Sequence, residues 1–382
     1  MFLLASLPLA AQTGDQAVPP PAGSYGGKAR EVMADIQRNF WLPDKGLYAR
    51  SRDVRDPDFM WGNGVVFSAL AGATRHDPGA YRETMARFFS ALDGYWDRKC
   101  ARPGYEASPT AGNGHDKYYD DNAWMVITFV EAYALTGQRS YLTRAQETMA
   151  FVLSGWDKTL DGGIWWHQEH KDGSKNTCAN APAAVGCLAL ARFAPPAERN
   201  QHLRWALRIV DWTTEYLQAP DGLYFDNIKA ESRHINQAKL TYNSGLMVRA
   251  CLGLHRASGD AKFLREADRI GRAADALLRR EAGVYRDPPK WSHLMVEADL
   301  ALHRATGDAR YLERAKRNAD AYYDRWTRRP PDDLLDLASI ARTLWLMADT
   351  ETAAGRAFWE KMDGPVRQGA GPMVPRLPMP SP

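Results

Sequence analysis

Two aspartates in succession, Asp120 and Asp121, stand in the segment KYYDDNAW (Lys117–Trp124), directly before the apolar run MVITFVEAYAL. One carboxylate is enough to cap a helix, and two side by side repel. A helix N-terminus favours an anion, which suits a carboxylate kept ionised as a nucleophile. Repulsion from that anion, with partial burial among Tyr118, Tyr119 and Trp124, raises the proton affinity of the second carboxyl toward that of a general acid. Two carboxyls about 5–5.5 Å apart in different protonation states are what cleavage of a glycosidic bond with retention requires. Neighbouring helical side chains diverge by about 100°, so both acids must rim a cavity rather than face each other. Taken alone, such a pair also fits a cap, a calcium ligand set or a solvated surface.

Other polar segments stand at the same phase before other apolar runs. MWGNG (Met60–Gly64) precedes VVFSAL, KNTCANAP (Lys175–Pro182) precedes AAVGCL, TYNSG (Thr241–Gly245) precedes LMVRAC and PKWSH (Pro289–His293) precedes LMVEAD. If the apolar runs are helices pointing one way, these segments meet at one mouth. Trp61, Asn63, Tyr119, Asn122, Trp124, Lys175, Asn176, Asn180, Tyr242 and Asn243 then become candidate substrate contacts around Asp120 and Asp121. The long connections GGIWWHQE (Gly162–Glu169) and GLYFDN (Gly222–Asn227) add Trp165, Trp166 and Asp226. Singly, an Asn before a helix reads as a cap, a Trp as packing and Lys175 as a solvated charge. Their joint recurrence favours a shared pocket.

The elements that must hold these residues repeat. A turn followed by Leu-x-x-Ala occurs as TGQRSYLTRA (Thr136–Ala145), SGDAKFLREA (Ser258–Ala267) and TGDARYLERA (Thr306–Ala315), with weaker copies at 76–86 and 196–206. A strongly apolar helix precedes each turn and a one-sided helix follows it, the pattern of an inner and an outer wall. Five joints with room for a sixth predict an all-α chain of six helical hairpins closing into an (α/α)6 toroid. An open solenoid uses the same alternation.

Composition narrows the partners. Lys and Arg exceed Asp and Glu by 49 to 46, too even a balance for a nucleic-acid binder or a polybasic membrane anchor. The four cysteines form no CxxC or zinc-spaced cluster, and Cys187 and Cys251, inside apolar helical runs, are expected to be buried free thiols. Phosphate-loop, dinucleotide and HExxH patterns are missing, so neither a cofactor nor a metal is expected. No apolar run reaches 18 residues, so no membrane span is expected. FLLASLPLAA (Phe2–Ala11) followed by VPPPAG is similar to an export signal. Residues 1–25 are therefore expected to be a signal segment and linker, 26–363 the catalytic domain, and 364–382 a disordered Pro-rich tail.

YYDDNAW (Tyr118–Trp124), GGIWW (Gly162–Trp166), Lys175–Asn176 with Asn180, and TYN-x-G (Thr241–Gly245) occur in the order found in glycoside hydrolase family 76, which the chain resembles over roughly residues 30–350. The resemblance implies an (α/α)6-barrel endo-α-1,6-mannanase that retains configuration, or a related cell-wall transglycosidase. It implies Asp120 as nucleophile, Asp121 as general acid/base, Trp and Asn side chains holding mannose units, and Asp226 binding a sugar hydroxyl. The partner would be a mannan polysaccharide, the enzyme a monomer, secreted or periplasmic. Ser244 stands where the family usually has Gln and Asn227 where it has Gly; both bear on subsites rather than on the acid pair. A sugar epimerase using His234 and His293, or a non-catalytic mannan-binding protein, would suit the same toroid.

Overall fold

The computed structural model describes residues 21–366, apart from 22 and 172. The expected export segment, apart from its last few residues, and the Pro-rich tail beyond 366 lie outside the described residues. Helix α1 (Tyr25–Asn39) leads into five helical hairpins. These pair α2 (Met60–His76) with α3 (Pro78–Ala91), α4 (Tyr119–Thr136) with α5 (Arg139–Leu153), and α6 (Thr177–Ala191) with α7 (Pro196–Leu217). They continue as α8 (Thr241–Ser258) with α9 (Ala261–Ala273) and α10 (Pro289–Thr306) with α11 (Ala309–Arg328), before α12 (Leu334–Glu351) and α13 (Ala353–Asp363).

The repeated turn is a helix C-cap. Gly137, Gly259 and Gly307 sit at φ 71–73°, and their N–H groups return to Tyr133, His255 and His303. That left-handed position favours glycine. Asp260 and Asp308 then cap the outer helices through their side chains.

Packing is circular. Helices α2, α4, α6, α8, α10 and α12 each touch the next, and α12 returns to α2. They bury most of their residues, whereas α9 and α11 bury a single face. The ring therefore closes as an (α/α)6 barrel. Its sixth outer position is taken by α1 from the other end of the chain, packed on α12. The Tyr25 N–H donates to Glu351 of α12 at 3.0 Å, and the neighbouring α11 adds Asp320, bonded by Tyr25 and Lys28, and Trp326, which donates to Asp35 at 2.8 Å. No local turn marks this sixth pair, which is why the repeat shows only five joints. Among the described residues no helix is long and apolar enough to cross a membrane.

Helix α13 closes one end. Its residues and the glycine after it meet the C-terminal ends of all six inner helices. Phe358 stacks under Arg75, Lys361 reaches the Ala134 carbonyl, and Arg192 donates to the Gly364 carbonyl. Arg256 and Arg304 pair with Asp363 at 3.0 and 2.6 Å, and Trp359 bonds Asp349 at 2.7 Å. At the other end, where the inner helices begin, the described residues form short antiparallel ribbons that include Ser174–Asn176, Asn227–Lys229 and Ile235–Asn236.

Between this floor and the mouth runs a buried ion network contributed by five inner helices. Arg342 grips Glu131 with both terminal nitrogens (2.7 and 2.8 Å) and reaches Glu297 at 3.1 Å. Arg249 adds a 3.3 Å pair to Glu297, and Arg75 bridges Glu131 and Asp349. Three acids face three arginines, so the charge balances, as burial requires.

Candidate active site

Asp120 and Asp121 lie in the first turn of α4. That turn is fastened to the ribbons around it. Asn122 takes the Tyr105 N–H at 2.7 Å and donates to the carbonyls of Tyr105 and Tyr118. The Tyr119 N–H bonds the Trp166 carbonyl at 3.0 Å, and the Gln168 N–H bonds the Lys117 carbonyl. The segment 164–168 thereby lies alongside the start of α4.

That segment has its own scaffold. Lys175 is fully buried, and its ammonium binds Asp157, the Thr159 carbonyl and the Gly162 carbonyl within 2.6–2.7 Å. Asn180 takes the Ile164 N–H and donates to the carbonyls of Ile164 and Asn176. Gly163, at φ 81°, lies so close to Trp212 that a Cβ there would sit 2.5 Å from the indole. The extended chain beyond it sends successive side chains to opposite sides. Trp165 turns inward, 2% exposed, and bonds Asp157. Trp166 turns out, 42% exposed, and its indole N–H donates to Asp120 at 3.0 Å.

The two carboxyls therefore meet different surroundings. On Asp120, Oδ1 accepts the Asp121 N–H at 3.1 Å, while Oδ2 accepts Trp166 and the Cys178 thiol at 3.4 Å. Burial pushes its pKa up to about 6, and these donors hold it there against a larger rise. Among the described residues no group donates to the Asp121 carboxyl. Burial, then the charges of Asp120, Asp116 and Asp58, raise its pKa well above the carboxylate range. Asp58, buried just before α2, is itself pushed up to about 7 by desolvation.

Opposite, Asp226 accepts the amides of Asn227 (2.8 Å), Asn236 (3.1 Å) and Asn243 (3.5 Å). Tyr242 lies between Asp226, Cys178 and Asp120. Among the described residues the buried side-chain oxygens of Asn227 and Asn243 have no hydrogen-bond partner.

The expected site residues thus fall into two sets. Asp120, Asp121, Trp166, Asp226, Tyr242 and Asn243 form one cluster at the end of the barrel where the inner helices begin. Trp61 is half-buried in the first turn of α2, and Trp124 lines a cavity of about 20 Å³ between the mouth and the ion network, room for about one water. Asn122, Trp165, Lys175 and Asn180 are consumed in holding backbone and loops. Asn63 is buried and donates to the Asp58 carbonyl, Asn176 accepts from Ser174, and Tyr119 stacks on Phe151 at 4.8 Å. Removing one of these ties is expected to loosen the Trp166 segment. Asn180→Ala orphans both polar groups of Ile164 and should lower the unfolding free energy by about 2–3 kcal/mol in urea titration, with KM rising.

Four residues near the acids were not singled out from sequence: Cys178, Asp58, Asp116 and His167. His167 has a fixed tautomer. Its Nδ1 accepts the N–H groups of Glu169 and His170, so Nε2 donates to Asp116 at 2.9 Å. His293 is buried below the mouth with its pKa lowered to about 4 by desolvation, and His234 is exposed. Neither arrangement is an epimerase's pair of free histidine bases. All four cysteines are free, with Cys187 and Cys251 buried in the core. Among the described residues no group of three His, Cys, Asp or Glu is placed to hold a metal ion.

Comparison with known proteins agrees with this architecture. Residues 24–287 match the profile of Glycosyl hydrolase family 76. A GH76 α-mannanase of Bacteroides thetaiotaomicron shares 24% identity at a TM-score of 0.79, over 88% of this chain and 96% of that one. The GH76A α-1,6-mannanase of Salegentibacter sp. HEL1_6 shares 21% at 0.74, over 85% and 99%. An inactive variant of the latter, in complex with α-1,6-mannotriose, shares 21% at 0.73, over 84% and 98%. Comparison with curated proteins gives no match. With more than half its length under the family profile and the family's barrel around the acid pair, the chain belongs to glycosyl hydrolase family 76 and is a glycoside hydrolase.

Proposed function

We propose that the protein is an endo-acting, retaining α-1,6-mannanase, with Asp120 as nucleophile and Asp121 as general acid/base. The observation that carries this reading is the unequal donor supply: among the described residues three hydrogen bonds reach the Asp120 carboxyl and none reaches that of Asp121. The first is thereby the carboxyl that ionises more readily, and the second keeps its proton. Asp120 attacks the anomeric carbon of a mannosyl unit as Asp121 protonates the departing oxygen. Water, deprotonated by Asp121, then releases the sugar from Asp120. The exposed Trp166 ring offers a stacking face to a pyranose, and Asp226 with Asn243 and Tyr242 offers hydrogen bonds to its hydroxyls.

Mannan linked α-1,6 is the substrate on two grounds: family membership, and fold neighbours that are α-1,6-mannanases, one of them bound to α-1,6-mannotriose. The enzyme works as a monomer, outside the cytoplasm, with no metal or cofactor in the reaction. Digestion of linear and branched α-1,6-mannan, with products separated by size, tests the reading. A ladder of short oligosaccharides is expected. Mannose as sole product would overturn endo cutting, longer chains formed on an added acceptor would assign transglycosylation, and unshortened polymer would overturn the hydrolase reading for this substrate.

A further inference from the structure

Asp120 carries its charge in unusual company. The titratable groups facing it are Asp121 beside it, Tyr118 before it, Cys178 from α6, and Tyr242 from α8, with Asp226 behind Cys178 and Tyr242. Asp116 and Asp58 act on its neighbour Asp121. Among these groups there is no Lys, Arg or His. Uncharged donors alone therefore stabilise the carboxylate, and on Oδ2 there are two of them, the Trp166 indole and the Cys178 thiol. Cys178 sits in the first turn of α6, buried, with its sulfur 3.4 Å from Oδ2. The Tyr242 side chain, from the first turn of α8, lies beside the same sulfur.

We propose that Cys178 is a positioning residue for the nucleophile: its S–H donates to Asp120 Oδ2, turning Oδ1 toward the substrate. A thiol is a weak donor in water, and burial beside a carboxylate strengthens the bond it makes. Cys187 and Cys251, in apolar core, have no such contact with the site. This inference rests on the reading of Asp120 as nucleophile.

Mannan has no group that titrates between pH 4 and 8, so the acid limb of kcat/KM reports the enzyme. Cys178→Ala removes the donor and is expected to move that limb upward by about half to one pH unit, with kcat several-fold lower near pH 5 and closer to wild type above the limb. Cys178→Ser restores a donor and should return the limb most of the way. Unfolding midpoints close to wild type for both variants make the shift a local one. A limb unmoved in Cys178→Ala, or one displaced equally by Ser and Ala, overturns the inference. Asp120→Asn in the same assay separates the two levels. Its inactivity keeps the nucleophile reading whatever Cys178 does, whereas turnover by that variant overturns both.

Discussion

Asp120→Asn is expected to lower turnover of α-1,6-mannan by about four orders of magnitude or more, because no bond to the anomeric carbon can form without a carboxylate there. The fold should survive, since an asparagine oxygen still accepts from Trp166 and from Cys178. Asp121→Asn removes the proton donor and should cost about 10²- to 10⁴-fold, with the smallest loss on substrates whose leaving group needs no protonation. Chromogenic mannosides with activated and unactivated leaving groups separate the two cases.

The same pair should oppose stability. Both carboxyls bind protons more tightly folded than unfolded. Their contribution is fully present below the unfolded value near 4 and is lost as pH rises through the folded values. At neutral pH Asp121 is thus a liability retained for chemistry, and Asp121→Asn should raise the unfolding midpoint by a few degrees at pH 7–8. At pH 4 the gain should vanish. Calorimetry at the two pH values reads the difference.

The largest stability effect belongs to the barrel axis. Arg342→Met leaves Glu131 and Glu297 with fewer partners in a buried site and should cost about 3–5 kcal/mol. The Arg342→Met, Glu131→Met double variant removes both members of the closest pair and should lose less than the sum of the single changes. Acid should weaken the same network. Burial would raise Glu297, but Arg249 and Arg342 outweigh it and lower its pKa to about 2. Its share of stability is therefore present above the unfolded value near 4.3 and lost as pH falls toward 2. Urea titrations of the three variants, with wild type followed from pH 6 to pH 3, measure both effects.

Much of this architecture was legible because it repeats. The turn before each outer helix, the alternation of all-round and one-sided helices, and the polar segment before five of the inner helices recur in the same order, and repetition lifts them above coincidence. The seam of α1 with α12 does not repeat: it joins residues some 300 positions apart, with no turn to mark it. The role of α13 depends on where six helix ends converge, which FWEKM alone does not disclose. At the site, the phase of the repeat found the mouth but not the direction of each side chain. Lys175 and Asn180 have the chemistry of sugar ligands, and the same chemistry serves to tie carbonyls and N–H groups of a bent loop. Trp165 and Trp166 are chemically identical, and only the local strand geometry sends one to the core and one to Asp120. Glu131 sits in an otherwise apolar run, where a lone acid signals a buried partner without naming it. Cys178 escaped because a thiol between two asparagines reads as filler until its neighbour across the barrel is known.

The division of labour between the two acids is the claim from which the rest follows, and covalent trapping tests it most directly. The enzyme would be incubated with a 2-deoxy-2-fluoro mannosyl donor bearing a good leaving group, then digested and its peptides mapped by mass. The account predicts one fluoromannosyl group on the peptide containing Tyr118–Trp124, located on Asp120. A label on Asp121 or on another residue would contradict it.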